Sequence, residues 1–97
     1  MRYEIILSPE AIEDFKQLSA HMRAQVKNLI EVHLRHEPAK TSKSRIKRLR
    51  GLRHPQFRLR IDDLRIFYDI EKNRVEILAI IPKSETARWL GKAGETI

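Results

Sequence analysis

The sequence predicts an α+β domain in which a helical hairpin packs on an antiparallel sheet. Two observations carry this. Apolar residues recur at helical spacing in the first third of the chain and alternate from residue 57 onward, with a polar, unpatterned stretch at 37–44 (EPAKTSKS) between the two regimes. The order of elements is strand, helix, helix and then three or four consecutive strands, which suits a meander lying on the helices. At 97 residues, 41% hydrophobic and 34% charged, the chain suits a single domain over 1–97 with one modest core.

Each element has a local reason. Residues 2–7 (RYEIIL) are short and rich in β-formers, hence a strand. Ser8 is placed to cap a helix, Pro9 suits its first position, and Glu10 puts an acid in the first turn. Ala11, Ile12, Phe15 and Leu18 follow at helical spacing and are expected to face the core. Ser19 caps a second helix on which Met22, Val26, Leu29, Ile30 and His33 share a face. That helix should finish near Arg35 and His36, ahead of Pro38. So short a break around Ser19 makes the pair an αα-hairpin.

In the second half, 57–61 (FRLRI) alternates apolar residues with two arginines, and Asp62-Asp63 supplies a tight turn. Residues 64–70 (LRIFYDI) form the next strand, and Glu71-Lys72-Asn73 turns the chain again. Residues 75–81 (VEILAII) are apolar on both faces, which predicts an interior strand covered on both sides or partly covered by a tail. Pro82 ends it, and 83–92 is expected to form a short closing helix containing Trp89 and Leu90.

Composition excludes several classes of protein. Cysteine is absent, which removes disulfides, thiolate catalysis and Cys-based zinc sites. No apolar run approaches the ~18 residues of a membrane span, and Met1-Arg2-Tyr3-Glu4 does not read as a secretory leader. The expectation is a cytoplasmic protein with no membrane partner. There is no Gly-rich phosphate loop, no Ser/His/Asp arrangement and no metal motif, so neither cofactor nor metal is expected.

Charge is concentrated. The net +7 of the whole chain equals the net charge of 41–65, where nine basic residues (Lys43, Arg45, Lys47, Arg48, Arg50, Arg53, Arg58, Arg60 and Arg65) meet two acids; the rest is neutral. Seven of the nine are arginine, the residue suited to bidentate phosphate recognition. Such a segment is the electrostatic footprint of nucleic-acid binding, and Arg45, Lys47, Arg48, Arg50, Arg53, His54 and Arg58 are candidate contacts.

Alternation puts Arg58 and Arg60 on one sheet face, and the obvious hairpin register brings Arg65 beside them, with Leu59, Ile61, Leu64 and Ile66 on the opposite, helix-packed face. Guanidinium groups so placed repel one another unless an anion sits there or Asp62, Asp63 and Asp69 neutralise them as cross-strand pairs. His54 lies in a loop beside the patch, either as an acid or base near neutral pH or as an ordinary exposed residue. His33 and His36 have a spacing that metal sites use, but no third ligand accompanies them, and a structural role is expected. Glu10, Glu13 and Asp14 suit the positive end of a helix better than a catalytic pair. Tyr68 shares the parity of Leu64 and Ile66 and belongs to the core, whereas Trp89 is available to stack on a base.

With this meander laid out, the sequence resembles the RelE/ParE superfamily of bacterial toxins over nearly its whole length. The resemblance runs through the opening strand and the SPEAIEDFKQL helix, Leu49-Arg50-Gly51, Phe57-Arg58-Leu59-Arg60 and Leu64-Arg65-Ile66-Phe67-Tyr68-Asp69-Ile70 to the apolar last strand. The combination LRG…FRLRI…LRIFY is fairly specific for the superfamily. It does not separate the RelE branch, which cleaves mRNA on the ribosome, from the ParE branch, which poisons DNA gyrase.

By that resemblance Arg58 and Arg60 match a paired basic position, Arg65 the arginine that begins the next strand, Arg50 the Leu-Arg-Gly arginine, and Lys83 the basic position after the final strand. The resemblance implies a metal-independent endoribonuclease in which the substrate's own 2′-hydroxyl attacks phosphorus, with Arg60, Arg65 and Lys83 as catalytic residues that stabilise the developing charge. Lys83, His54 and Glu85 are the candidates for moving a proton. It also implies a cognate acidic antitoxin, a possible hetero-oligomer with it, and mRNA on the ribosome as target. A gyrase inhibitor acting by protein binding and a non-catalytic RNA-binding module are the alternatives. The chain departs from the family's GHRR-x-x-Y ending: residues 81–90 read IPKSETARWL, without tyrosine or histidine, and Trp89 is the residue left to stack. Arg65→Ala is expected to abolish cleavage and leave the fold intact.

Overall fold

The computed structural model describes residues 1–95. Strand β1 (Glu4–Leu7) leads through Ser8 into helix α1 (Pro9–Lys16) and then α2 (Ala20–Leu34). Four strands follow, β2 (Ile46–Arg48), β3 (Phe57–Ile61), β4 (Leu64–Glu71) and β5 (Arg74–Pro82); a 3₁₀ turn (Lys83–Glu85) then leads into α3 (Thr86–Glu95). The expected α+β architecture is the one observed. One five-stranded sheet has the order β1-β5-β4-β3-β2, with β2 to β5 antiparallel and β1 parallel to β5.

The caps form as their sequence predicts. Ser8 Oγ accepts from the Ala11 N–H at 3.1 Å and donates to the Leu78 carbonyl at 3.2 Å, so one hydroxyl both starts α1 and fastens it to β5. Ser19 Oγ accepts from the Met22 N–H at 3.1 Å and starts α2. Leu59, Ile61, Leu64, Ile66 and Tyr68 line the helix-packed face with Ala11, Val26, Ile30 and Leu34. Tyr68 is in the core, its hydroxyl donating to the Pro38 carbonyl at 2.6 Å.

Several expectations change. The first strand starts at Glu4 rather than Arg2, because the Tyr3 N–H is already spent on the Arg35 carbonyl at 2.7 Å. Ile12 is 42% exposed; Ala11 and Phe15 face the sheet, and Ile12 falls at the edge of that stripe on a helix turning about 100° per residue. Residues 37–44 are more than a linker, since Pro38 is fully buried. Strand β2 was not among the expected elements: it is three residues long, and Ile46 alone of them is buried, against Leu59.

The apolar run on β5 has a specific cause. Phe67 pairs with Ala79 but Tyr68 with Ile77, a bulge that leaves Leu78 extra and switches the parity of the strand. Val75 and Ile77 before the bulge, and Ile80 after it, therefore all enter the main core. Ala79 and Ile81 join Phe67 on the opposite face, beneath Leu49, Trp89 and Leu90. The tail thus covers part of that face, with the Trp89 ring stacked on Phe67 at 5.0 Å and 13°. Trp89 Nε1 also donates to Glu10 at 3.2 Å, joining α3 to α1. Among the described residues no helix is long and apolar enough to cross a membrane.

Candidate nucleic-acid interface

Register sorts the basic segment into cross-strand rows on the face opposite the hairpin. The Arg60 N–H donates to the Arg45 carbonyl, and Arg60 pairs with Arg65, so Arg45, Arg60 and Arg65 form one row. Lys47 pairs with Arg58, and Arg58 with Phe67, which makes the next row. Rows lie two residues apart along the strands, about 7 Å. Lys83 follows directly after Pro82, which pairs with Leu64, and its N–H donates to the Asp63 carbonyl at 2.8 Å, so it enters from the hairpin end.

The acids nearby do not neutralise these rows by ion pairing. Among the described residues no salt bridge involves Arg45, Lys47, Arg58, Arg60 or Arg65. Asp62 accepts from Gln25 Nε2 at 2.8 Å, and Asp69 serves His54. Burial, then Arg65 and Arg60, disfavour the charged form of Arg58. Burial and then Arg60 act likewise on Arg65, with Asp63 opposing. Arg58 Nε is buried without a hydrogen-bond partner. A sheet face that holds like charges together and leaves a guanidinium N–H unsatisfied is costly, on the order of 1–3 kcal/mol for the lone group.

The rows differ from the expected site in four respects. Arg65 is only 5% exposed, and its Nη1 donates to the Asp62 and Leu64 carbonyls at 3.0 and 2.9 Å. It braces the hairpin as well as charging it, so the expectation that Arg65→Ala leaves the fold intact is corrected. Arg48 is opposite Phe57, on the other face, with its guanidinium 5.0 Å from the centre of that ring. Arg50 and Arg53 are exposed in the loop between β2 and β3 and hold no position in either row. Trp89 is stacked on Phe67 rather than free.

His54 and Asp69 meet at this end of the sheet. His54 Nδ1 lies 2.6 Å from Asp69 Oδ2, and Asp69 Oδ1 accepts from the Gln56 N–H at 2.7 Å. Gln56 Oε1 in turn accepts from the Ile70 N–H at 2.8 Å. The signal for this was the parity of Asp69 with Arg65, which puts an acid on the basic face. Burial and then Arg45 lower the basicity of His33, and among the described residues no metal-binding group of His, Asp and Glu forms.

A strand, a helical hairpin, an antiparallel meander with a basic outer face and a short closing helix together define a RelE/ParE-type toxin fold. Solved structures agree. A chain of the archaeal RelE–RelB complex from Pyrococcus horikoshii is similar at TM-score 0.70 and 20% identity, covering 86% of this chain and 97% of that one. A chain of the toxin–antitoxin complex RelBE2 from Mycobacterium tuberculosis gives 0.70 and 24%, covering 84% and 99%. A mutant of E. coli toxin RelE in the free state gives 0.68 and 24%, covering 100% and 99%. Among curated proteins none matches the sequence. The model of the ParE toxin of the type II toxin–antitoxin system parDE matches residues 5–87, and the chain belongs to that family.

Proposed function

We propose that this toxin is a metal-independent endoribonuclease that cleaves mRNA on the ribosome and is held in check by an acidic antitoxin. The observation that carries the reading is the row of Arg45, Arg60 and Arg65, without an ion pair among the described residues, beside the row of Lys47 and Arg58. Two parallel lines of cations on a sheet face that the tail covers only in part are suited to successive phosphates of a single strand.

In this reaction the 2′-hydroxyl oxygen attacks the adjacent phosphorus while the bond to the 5′-oxygen breaks, giving a 2′,3′-cyclic phosphate and a free 5′-hydroxyl. Charge grows on the phosphoryl oxygens as the bond forms. Fixed guanidinium groups aimed there stabilise the transition state more than the ground state. Arg58 and Arg60 contact the phosphodiester and Lys83 supports them from the hairpin end. Arg65, already committed to two carbonyls, acts through its field and by fixing the row. The ribosome supplies the alignment of the substrate strand.

A second reading, inhibition of DNA gyrase by protein binding, is favoured by the match to the ParE family model. It requires no proton-transfer group and no transition-state charge stabilisation. Adding the purified toxin to a bacterial translation extract separates the two. Cleaved mRNA with cyclic-phosphate ends supports the nuclease, gyrase-dependent DNA breaks support the inhibitor, and salt-sensitive binding without product indicates an RNA-binding module.

A further inference from the structure

The arginine rows hold and polarise a phosphodiester, but none of their side chains accepts a proton. The described residues contain a group that does. His54 is half exposed at 54%, while the Asp69 side chain that holds its Nδ1 is 12% exposed. With one carboxylate oxygen on the Gln56 N–H and the other on His54 Nδ1, Asp69 fixes the ring, and a neutral imidazole that donates from Nδ1 to this carboxylate has Nε2 as its acceptor. The histidine lines a groove of about 780 Å³ with Arg53, Pro55 and Trp89. Its charged surroundings are Asp69 from β4, Arg53 from the loop, Glu10 from α1 and Lys92 from α3.

Position along the sheet decides which phosphate this pair can serve. Asp69 lies two residues beyond Phe67, and Phe67 is opposite Arg58. On β4, Asp69 is therefore one row from Arg58, about 7 Å, and two rows from Arg60 and Arg65, about 13 Å.

We infer that His54, oriented by Asp69, takes the proton from the attacking 2′-hydroxyl of an RNA nucleotide seated in this groove, with the scissile phosphate against Arg58. The inference rests on the nuclease reading and adds its missing base. The O2′–H proton passes to His54 Nε2, the O2′–P bond forms, the P–O5′ bond breaks, and the departing 5′-oxygen is protonated by water. His54 then returns its proton to solvent, so the enzyme is regenerated. Asp69 is a positioning residue.

The test is single-turnover cleavage of a short defined mRNA on bacterial ribosomes between pH 6 and 8.5, with the wild type, His54→Asn, Asp69→Asn and Arg60→Ala. In His54→Asn the amide N–H can replace the Nδ1 donor to Asp69, so the local structure is retained while the base is lost; circular dichroism melting checks this. A general base of this kind contributes roughly 10²–10⁴-fold. His54→Asn is expected to slow cleavage by at least about 100-fold and flatten the acid limb of the rate–pH profile, with RNA affinity within about twofold. Asp69→Asn should slow cleavage less and keep a displaced limb. Wild-type rate and profile in a folded His54→Asn, with Arg60→Ala inactive, overturns the inference and leaves the nuclease reading standing. No cleavage by the wild type removes both.

Discussion

Arg60 and Arg65 face each other directly across the β3–β4 hairpin, and among the described residues neither is ion-paired to a carboxylate. They have opposite relations to the fold. Arg60 is exposed and adds repulsion, whereas Arg65 is buried and adds hydrogen bonds. Arg60→Gln should therefore raise the urea midpoint. The gain should shrink as salt screens the cations, within a Debye length of about 8 Å at physiological ionic strength. Urea unfolding at low and high salt measures it, and an unchanged or lowered midpoint at low salt would count against a repulsive row.

Arg65→Ala is expected to destabilise the protein. It strips the Asp62 and Leu64 carbonyls of a shared donor in a hairpin where Asp62 has φ +48°. Losing partners of this kind costs about 1–3 kcal/mol, readable as a lower denaturation midpoint with unchanged slope. Any loss of cleavage in this variant has to be compared with its loss of folded protein.

Tyr68→Phe leaves the Pro38 carbonyl without its partner at the bottom of the core. The expected cost is again about 1–3 kcal/mol. Burial pushes the Tyr68 phenol well above its usual range, so an ultraviolet titration should show no ionisation of this tyrosine until the protein unfolds.

His33 makes stability depend on pH. Burial, and then Arg45, hold its folded-state value below the ordinary 6.5. The folded state thus favours the neutral ring, so the contribution is present above that ordinary value and is lost as pH falls through the folded-state value. Relative to His33→Gln, the wild type should lose stability on acidification below about pH 6.5. Parallel curves for the two proteins from pH 7.5 to 5 would contradict this.

Local chemistry made much of the fold legible. Ser8 and Ser19 announce their helices because a cap is a bond to a residue three positions on. Alternation of Phe57, Leu59 and Ile61 shows which way Arg58 and Arg60 point, because side chains on a strand have a period of two. What stayed hidden depends on partners distant in sequence. Strand β2 exists because Ile46 finds Leu59, and the bulge at Leu78 is a mismatch between two strands that neither betrays alone.

The candidate site divides along the same line. Charge counting over 41–65 found the rows but could not separate Lys47 from Arg48, adjacent residues that β2 sends to opposite faces. Nor could it foresee that Arg65 would be buried. The pairing of His54 with Asp69 spans 15 positions, so the sequence offered His54 as a possible acid or base without showing which carboxylate would hold it.

The most direct measurement is the yield of 2′,3′-cyclic phosphate ends when the toxin is added to a translation extract, with Arg60→Ala run beside the wild type. The account predicts such ends only with the wild type, and a fall of roughly a hundred- to thousandfold in rate for the variant. Intact mRNA with both proteins, or equal cleavage by both, would contradict it.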